Sequence, residues 1–253
     1  MEFFKYQGTG NDFVMVDNRE GAFDETQENI ARICHRRFGV GADGLILIED
    51  AEGFDFRMKY FNADGAEGSM CGNGGRCAVQ FAADLGIFAG EARFIAVDGP
   101  HHSRIEQDQV FLRMKDVSGI EALEDGYFLD TGSPHLVKFV DQWDNLDVKA
   151  DGAKLRYSDF WKKRGGVNVN FVQVMDANTV KVRTYERGVE DETYSCGTGV
   201  TAAAIVSHLY KATGTDLRII TLGGDLRVSF HTGPVISEIV LCGPAKQVFS
   251  GQL

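Results

Sequence analysis

Ser69-Met70-Cys71-Gly72-Asn73-Gly74-Gly75 returns half a chain later as Tyr194-Ser195-Cys196-Gly197-Thr198-Gly199-Val200. Each Cys-Gly-x-Gly runs into small and apolar residues that suit a helix packed on all sides: Ala78, Ala82 and Ala83 in one half, Ala202, Ala203 and Ala204 in the other. Each also follows a strand-like segment and an acidic, Gly-containing loop, Phe61-Asn62-Ala63-Asp64-Gly65-Ala66-Glu67 and Tyr185-Glu186-Arg187-Gly188-Val189-Glu190-Asp191. One structural unit is used twice. The fold this predicts is mixed α/β (α+β). It has two pseudo-symmetric domains, each a mixed β-sheet or barrel wrapped around a central helix, with a cleft between them. The two central helices are expected over 72–86 and 197–212.

Working outward, strand signals dominate. Phe54, Phe56, Met58 and Tyr60 alternate with Asp55, Arg57 and Lys59, a period of two. Further strands are predicted at 13–16, 45–48, 94–97, 110–114, 168–175, 178–186, 217–222, 225–231 and 235–242. A third helix is predicted over 26–38, with Ile30, Ile33 and Cys34 on one face and Arg36-Arg37 at its end, where cations suit the dipole. The acidic, poorly periodic stretch near 115–126 marks the domain boundary. It gives an N-terminal half over 1–116, with room for residues 246–253 to return to it, and a C-terminal half over 117–245.

Composition excludes several classes. A net charge of −11 argues against nucleic acid or an anionic membrane as partner. No apolar stretch approaches the roughly 18 residues of a membrane span, and no basic-plus-apolar signal pattern opens the chain. Five cysteines without regular spacing argue against a secreted disulfide framework. The expectation is a soluble, cytoplasmic protein with reduced thiols. There is no Cys-x-x-Cys and His101-His102 has no spaced partner, so no metal site is predicted.

The two cysteine loops carry the chemistry. A helix N-terminus exposes unpaired N–H groups and about half a positive charge. Glycines there let a ligand approach the backbone, so a carboxylate suits Gly72-Asn73 and Gly197-Thr198. The same place lowers a thiol's pKa, which fits Cys71 and Cys196 for proton transfer near neutral pH. Two such groups facing one carbon are what inversion of a stereocentre needs. No Lys motif suggests a pyridoxal Schiff base, so the reaction is expected to run without a cofactor. Cys34, Cys77 and Cys242 read instead as small buried hydrophobes. The Lys162-Lys163-Arg164 run reads as a solvated face.

The ordered set Gly8-Thr9-Gly10-Asn11-Asp12-Phe13, Gly41-Ala42-Asp43-Gly44, Phe61-Asn62-Ala63-Asp64-Gly65, Met70-Cys71-Gly72-Asn73-Gly74-Gly75-Arg76, Asn168-Val169-Asn170-Phe171, Tyr185-Glu186-Arg187-Gly188 and Cys196-Gly197-Thr198-Gly199 resembles the diaminopimelate epimerase family over nearly the whole chain. The resemblance implies a cofactor-independent isomerase of lysine and peptidoglycan-precursor synthesis, often a homodimer, with Cys71 and Cys196 as the acid/base pair. It implies that Gly72, Asn73, Gly197 and Thr198 hold the reacting carboxylate. Asn11, Asn62, Asn168, Glu186 and Arg187 match substrate-holding positions. His135, with Glu186, matches residues that tune the cysteines. Three positions depart from the family: Gly44 where many members carry Gln, Ser133 where many carry Asn, and Phe249 where a Tyr often supports the dimer. The alternatives are a proline racemase-like enzyme acting on another amino acid, or a non-enzymatic thiol redox or binding protein on the same fold. Proline racemase-like enzymes typically carry His where Asn73 stands.

Overall fold

The computed structural model describes all 253 residues, which divide into two compact units, Met1–Leu112 with Gly243–Leu253, and Arg113–Cys242. The first contains β1 (Glu2–Gly8), β2 (Asn11–Asp17), α1 (Gln27–Cys34), β3 (Gly44–Glu49), β4 (Phe56–Asn62), α2 (Gly72–Asp84), β5 (Glu91–Ala96), β6 (Gly99–Glu106) and β7 (Gln109–Arg113). The second contains β8 (Glu121–Leu123), β9 (Gly126–Asp130), β10 (Pro134–Phe139), α3 (Val148–Arg156), α4 (Asp159–Lys163), β11 (Asn168–Asp176), β12 (Thr179–Glu186), β13 (Asp191–Thr193), α5 (Gly197–Lys211), β14 (Asp216–Thr221), β15 (Gly224–His231) and β16 (Ser237–Gly243). The last strand, β17 (Lys246–Gln252), returns to the first unit and pairs antiparallel with β1.

Strand pairing shows the duplication directly. In the first unit β1/β2 is antiparallel, β2/β3 parallel, β3/β4 antiparallel, β4/β5 parallel, and β5/β6 and β6/β7 antiparallel. In the second, β9/β10, β10/β11, β11/β12, β12/β14 and β14/β15, then β15/β16, repeat that series in the same order. The parallel pairs need crossovers, and helices supply them. α1 links β2 to β3 and α3–α4 link β10 to β11; α2 and α5 make the other two crossovers. β13 is an extra short strand against one end of β12.

Period-two alternation sorts the sheet residues. Val14, Val16, Leu45, Leu47 and Phe61 pack with Ile30, Ile33 and Cys34 of α1. Leu136, Val169, Phe171 and Tyr185 pack with Val148 and Trp161 of α3 and α4. The opposite faces meet the central helices. Val137, Val172, Val180 and Val182 join Val200, Ala203, Ala204 and Ile205 of α5. Alternation therefore also places His135, Asn168, Asn170, Thr184 and Glu186 on the α5 side, and Asn11, Phe13, Gly44, Tyr60 and Asn62 on the α2 side.

Two helix expectations need correction. The helix predicted over 26–38 stops at Cys34, because His35 adopts extended angles, φ −67° and ψ 119°. His35 Nδ1 accepts from the backbone of Arg37 and Phe38 at 3.1 and 3.2 Å. Gly39 then folds back so close that a Cβ there would lie 2.1 Å from Arg32 O. Arg36 ends no helix; its charge serves Asp12 and Asp43. The second correction is that α3 and α4 are real helices in a stretch read without any. Arg164, read as solvated, is exposed but pairs with Glu121 at 2.8 Å and covers the Phe160 ring. No helix is long and apolar enough to cross a membrane.

Candidate active site

Each unit presents a half-site at the N-terminus of its central helix. Cys71 is the N-cap of α2, with extended angles φ −109° and ψ 121°. Cys196 is the N-cap of α5, with φ −124° and ψ 113°. At both, the first helical N–H groups and the positive dipole end lie beside the thiol.

In the first half-site the Cys71 Sγ accepts from Gly74 N at 3.5 Å and donates to Asn11 Oδ1 at 3.6 Å. Asn73 Nδ2 donates to the same oxygen at 3.5 Å. Behind Asn11 stands a charged cluster. Asn11 Nδ2 donates to Asp43 Oδ2 at 2.6 Å, and Arg36 donates to Asp43 Oδ1 at 2.6 Å. Arg36 also grips both oxygens of Asp12, at 2.8 and 3.1 Å. Lys5 pairs with Asp12 at 2.7 Å and donates to Gly41 O. Burial pushes the Asp12 carboxyl up, but its bonds to Arg36 and Lys5 outweigh that and hold it at about 2. Asn62 is exposed at the end of β4. At Gly44, a Cβ would meet Phe61 O at 2.4 Å and Tyr60 Cε2 at 2.5 Å, so the Tyr60 ring stands where a side chain at 44 would go.

In the second half-site Cys196 Sγ lies 3.5 Å from Thr198 Oγ1. Thr198 is in turn 2.9 Å from His135 Nε2, and its carbonyl accepts from Thr131 Oγ1 at 2.8 Å. Asn170 Nδ2 sits 3.0 Å from His135 Nδ1 and donates to Leu136 O at 3.2 Å, while its Oδ1 accepts from Thr184 Oγ1 at 3.0 Å. His135 is fully buried, and that burial, helped by the charge of Arg187, lowers its pKa to about 3. It is a neutral imidazole. Asn170 explains the second glycine of this loop: a Cβ at Gly199 would lie 2.3 Å from Asn170 Oδ1.

Asn168, Glu186 and Arg187 come together beside this loop. Asn168 Oδ1 accepts from the Arg187 backbone at 2.8 Å, and its Nδ2 donates to Ser133 Oγ and Pro134 O, both at 2.9 Å. Glu186 accepts from Thr193 Oγ1 at 3.0 Å. The Arg187 side chain is exposed and reaches Gly165 O at 3.2 Å. Phe249 lies elsewhere, on β17, edge-on to Phe3 with ring centroids 5.9 Å apart.

No disulfide joins any of the five cysteines. Burial pushes the Cys34 and Cys77 thiols up to about 12, and Cys242 is buried too. No group of three or more His, Cys, Asp or Glu side chains is gathered to hold a metal ion. The sequence reading missed Arg36, Asp43, Asn170, Thr184 and Thr193 as members of these half-sites. Asn170 had a usable signal: it stands two residues after Asn168 in a strand, hence on the same face. Asp43 stood in the Gly41-Ala42-Asp43-Gly44 stretch, but nothing local marked Asn11 and Arg36 as its partners.

Comparison with known proteins agrees with this anatomy. The family model described as diaminopimelate epimerase matches residues 3–114 and 127–248. The chain is 50% identical over 256 residues to the diaminopimelate epimerase of Flavobacterium psychrophilum, covering 98% of each chain. It is 43% identical over 256 residues to that of Chlorobaculum tepidum, covering 97% of this chain and 98% of that one. Among solved structures, a phenazine biosynthesis protein of the PhzF family from Bacillus anthracis superposes with a TM-score of 0.81 at 14% identity, over 100% of this chain and 98% of that one. A probable proline racemase from Agrobacterium radiobacter gives 0.68 at 13% identity, over 100% and 92%. At such low identity these two speak for the fold alone. With its two cysteine-capped helices on a duplicated sheet and half its residues shared end to end with one such enzyme, the chain belongs to the diaminopimelate epimerase family.

Proposed function

We propose that this protein interconverts LL- and meso-diaminopimelate without a cofactor, with Cys71 and Cys196 as the acid/base pair. The observation that carries the reading is a cysteine at the N-cap of the central helix in both units of a chain half identical, end to end, to a diaminopimelate epimerase. One thiolate takes the α-proton from one face of the carbon, and the other thiol returns a proton to the opposite face. The N-terminal half supplies Cys71 and the C-terminal half Cys196.

The difficult moment is the carbanion, whose charge spreads into the neighbouring carboxylate. N–H groups at Gly72-Asn73 and Gly197-Thr198, at the positive ends of α2 and α5, suit that carboxylate. A single well-placed donor of this kind is worth roughly 2.7–4 kcal/mol in related anion holes. The distant end of the substrate carries a second carboxylate and ammonium. Arg187 suits the first and Glu186 the second, with Asn11, Asn62 and Asn168 completing the contacts. His135 acts on Cys196 through Thr198. A homodimer working in the cytoplasm, in lysine and peptidoglycan-precursor synthesis, belongs to the same reading, and sedimentation tests the dimer.

The test is α-proton exchange in deuterated water. LL-diaminopimelate incubated with reduced protein is expected to gain deuterium at one α-carbon and accumulate the meso form. Protein treated beforehand with a chelator and hydroxylamine is expected to react as fast. Exchange with a different amino acid and none with diaminopimelate would move the reading to a racemase of that amino acid.

A further inference from the structure

The loop that carries Arg187 contains a residue in a backbone conformation foreign to its type. Glu190 has φ 59°, in the left-handed region that side chains other than Asn and Asp seldom adopt. Such a residue persists only where its surroundings over-determine it. Here they do so through its carboxylate. Oε1 accepts from Gly188 N at 3.1 Å and from Arg156 Nη2 at 3.2 Å. Oε2 accepts from the Tyr185 hydroxyl at 3.2 Å, and the Tyr157 hydroxyl bonds the same carboxylate. The Glu190 N–H closes the turn onto Glu186 O at 2.8 Å.

From this carboxylate two routes lead to Arg187. Along the chain, Gly188 N belongs to the peptide directly after Arg187, while Asn168 Oδ1 holds the Arg187 N–H on the other side at 2.8 Å. The residue is therefore clamped at both of its peptides. Through space, the Arg156 guanidinium lies so close to Gly166 that a Cβ there would be 1.8 Å from Nη1. The neighbouring Gly165 carbonyl accepts from Arg187 Nη1 at 3.2 Å. The contacts close a ring, from Arg187 through Gly188, Glu190, Arg156, Gly166 and Gly165 back to Arg187. Arg156 ends α3 and the two glycines follow α4, so both helices help to place one side chain. Arg156 Nε is buried without a hydrogen-bond partner, which leaves Glu190 and the packing on Gly166 to hold this guanidinium.

We propose that Glu190 and Arg156 are positioning residues for Arg187 and thereby set the preference for a substrate with a distant carboxylate. The proposal rests on the reading of Arg187 as the partner of that carboxylate. Arg156 has a second effect. Glu190 stands three residues from Arg187, and a carboxylate released there would compete with substrate for the Arg187 guanidinium. Bound by Arg156, Gly188 N and two tyrosine hydroxyls, it does not. A plain structural staple predicts something different: Cys196 lies six residues beyond Glu190, so loosening the loop would slow turnover whether or not Arg187 is present.

The experiment is a double-mutant cycle on kcat/KM for diaminopimelate in the full chain, with Arg187→Ala as the second background. Glu190→Ala is expected to lower kcat/KM about fivefold or more in the unaltered protein, mainly by raising KM, and less than about twofold when Arg187→Ala is already present. Glu190→Gln keeps an acceptor for Gly188 N and is expected to lose less. Arg156→Met is expected to be at least as slow as Glu190→Ala, because it also frees a carboxylate beside Arg187, and adding Glu190→Gln to it is expected to recover activity. Circular dichroism melting checks that each variant is folded at the assay temperature; should Glu190→Ala fail this, Arg156→Met is read in the same cycle. A loss of equal size in both backgrounds overturns the proposal, as does an unchanged KM in Glu190→Ala. An Arg156→Met, Glu190→Gln pair slower than Arg156→Met alone also overturns it. The deuterium experiment on the unaltered protein separates this from the reading beneath it: no exchange with diaminopimelate overturns both, whereas exchange with a failed cycle overturns the clamp alone.

Discussion

At the scale of the residue, the cysteines are separated from their three fellow thiols by surroundings. Cys71 and Cys196 cap helices at their positive dipole ends, whereas Cys34 and Cys77 are held neutral by burial. Cys71→Ala and Cys196→Ala are each expected to abolish deuterium exchange with the fold intact by circular dichroism. Cys→Ser at either site should leave little activity, since a hydroxyl is a far weaker acid. A near-normal rate in either Ala variant would refute the two-base reading. Arg187 bears on substrate choice. Its side chain is exposed, while its backbone is tied to Asn168 at 2.8 Å, so the loop is anchored and the guanidinium is available. A charge-assisted bond of this kind is worth roughly 1.5–3 kcal/mol. Arg187→Ala is expected to cut kcat/KM for diaminopimelate about tenfold to a hundredfold, and Arg187→Lys to restore only part, because the planar fork is lost. Lysine, which lacks the distant carboxylate, should be a poor substrate for the unaltered protein. Equal turnover of lysine and diaminopimelate would remove Arg187 from the site.

At the scale of the element, the start of α5 is defined by how closely β11 approaches it. Asn170 is held by Leu136 O, His135 and Thr184, so it cannot retreat from a methyl group on Gly199. Gly199→Ala is expected to destabilise the protein by about 1–3 kcal/mol through overpacking and to slow exchange. Gly233→Ala, whose Cβ would meet nothing nearer than Val235 O at 3.4 Å, is the control; equal melting temperatures for the two would sink the packing argument. The same contact explains what the sequence could and could not reveal. The central helices were legible because small residues must fill a helix enclosed by a sheet, and α2 and α5 begin at Gly72 and Gly197. Strands such as β4 and β12 were legible through alternation. α3 was not. Its middle residue, Gly152, is a poor helix former, present because Tyr185 packs so close that a Cβ would lie 2.4 Å from its own Cβ. Its one local signal was Asp147, which caps Ala150 N at 3.0 Å. The cysteines and Asn168, Glu186 and Arg187 stood in motifs, as did Asp43 and Asn170, but nothing local showed which side chains those two would bind. Arg36 meets Asp12 and Asp43 only because His35 breaks α1 and Gly39 turns the chain back.

At the scale of the whole molecule, duplication has kept the strand order and changed the titrating groups behind each helix. The second unit carries a buried His135 whose pKa is lowered to about 3. The first carries Asp12, held at about 2 despite its burial. Their signs agree but their windows differ. Unfolded histidine titrates near 6.5, so between about 6.5 and about 3 the unfolded chain binds a proton that folded His135 refuses. Stability falls with pH across that window by about 1.4 kcal/mol per unit. Unfolded aspartate titrates near 3.9, so Asp12 retains its full contribution down to about pH 4 and loses it as pH falls towards 2. At pH 5, therefore, the acid penalty from these two groups falls on residues 113–242 alone. Hydrogen exchange followed by mass spectrometry at pH 7 and pH 5, corrected for intrinsic rates, is expected to show β10, β11 and α5 losing protection before β2, β3 and α2. His135→Asn removes the titrating ring and should flatten this difference, even if the variant is less stable throughout. Earlier loosening of β2 and β3, or an unchanged pH dependence in His135→Asn, would show that other groups govern the acid response.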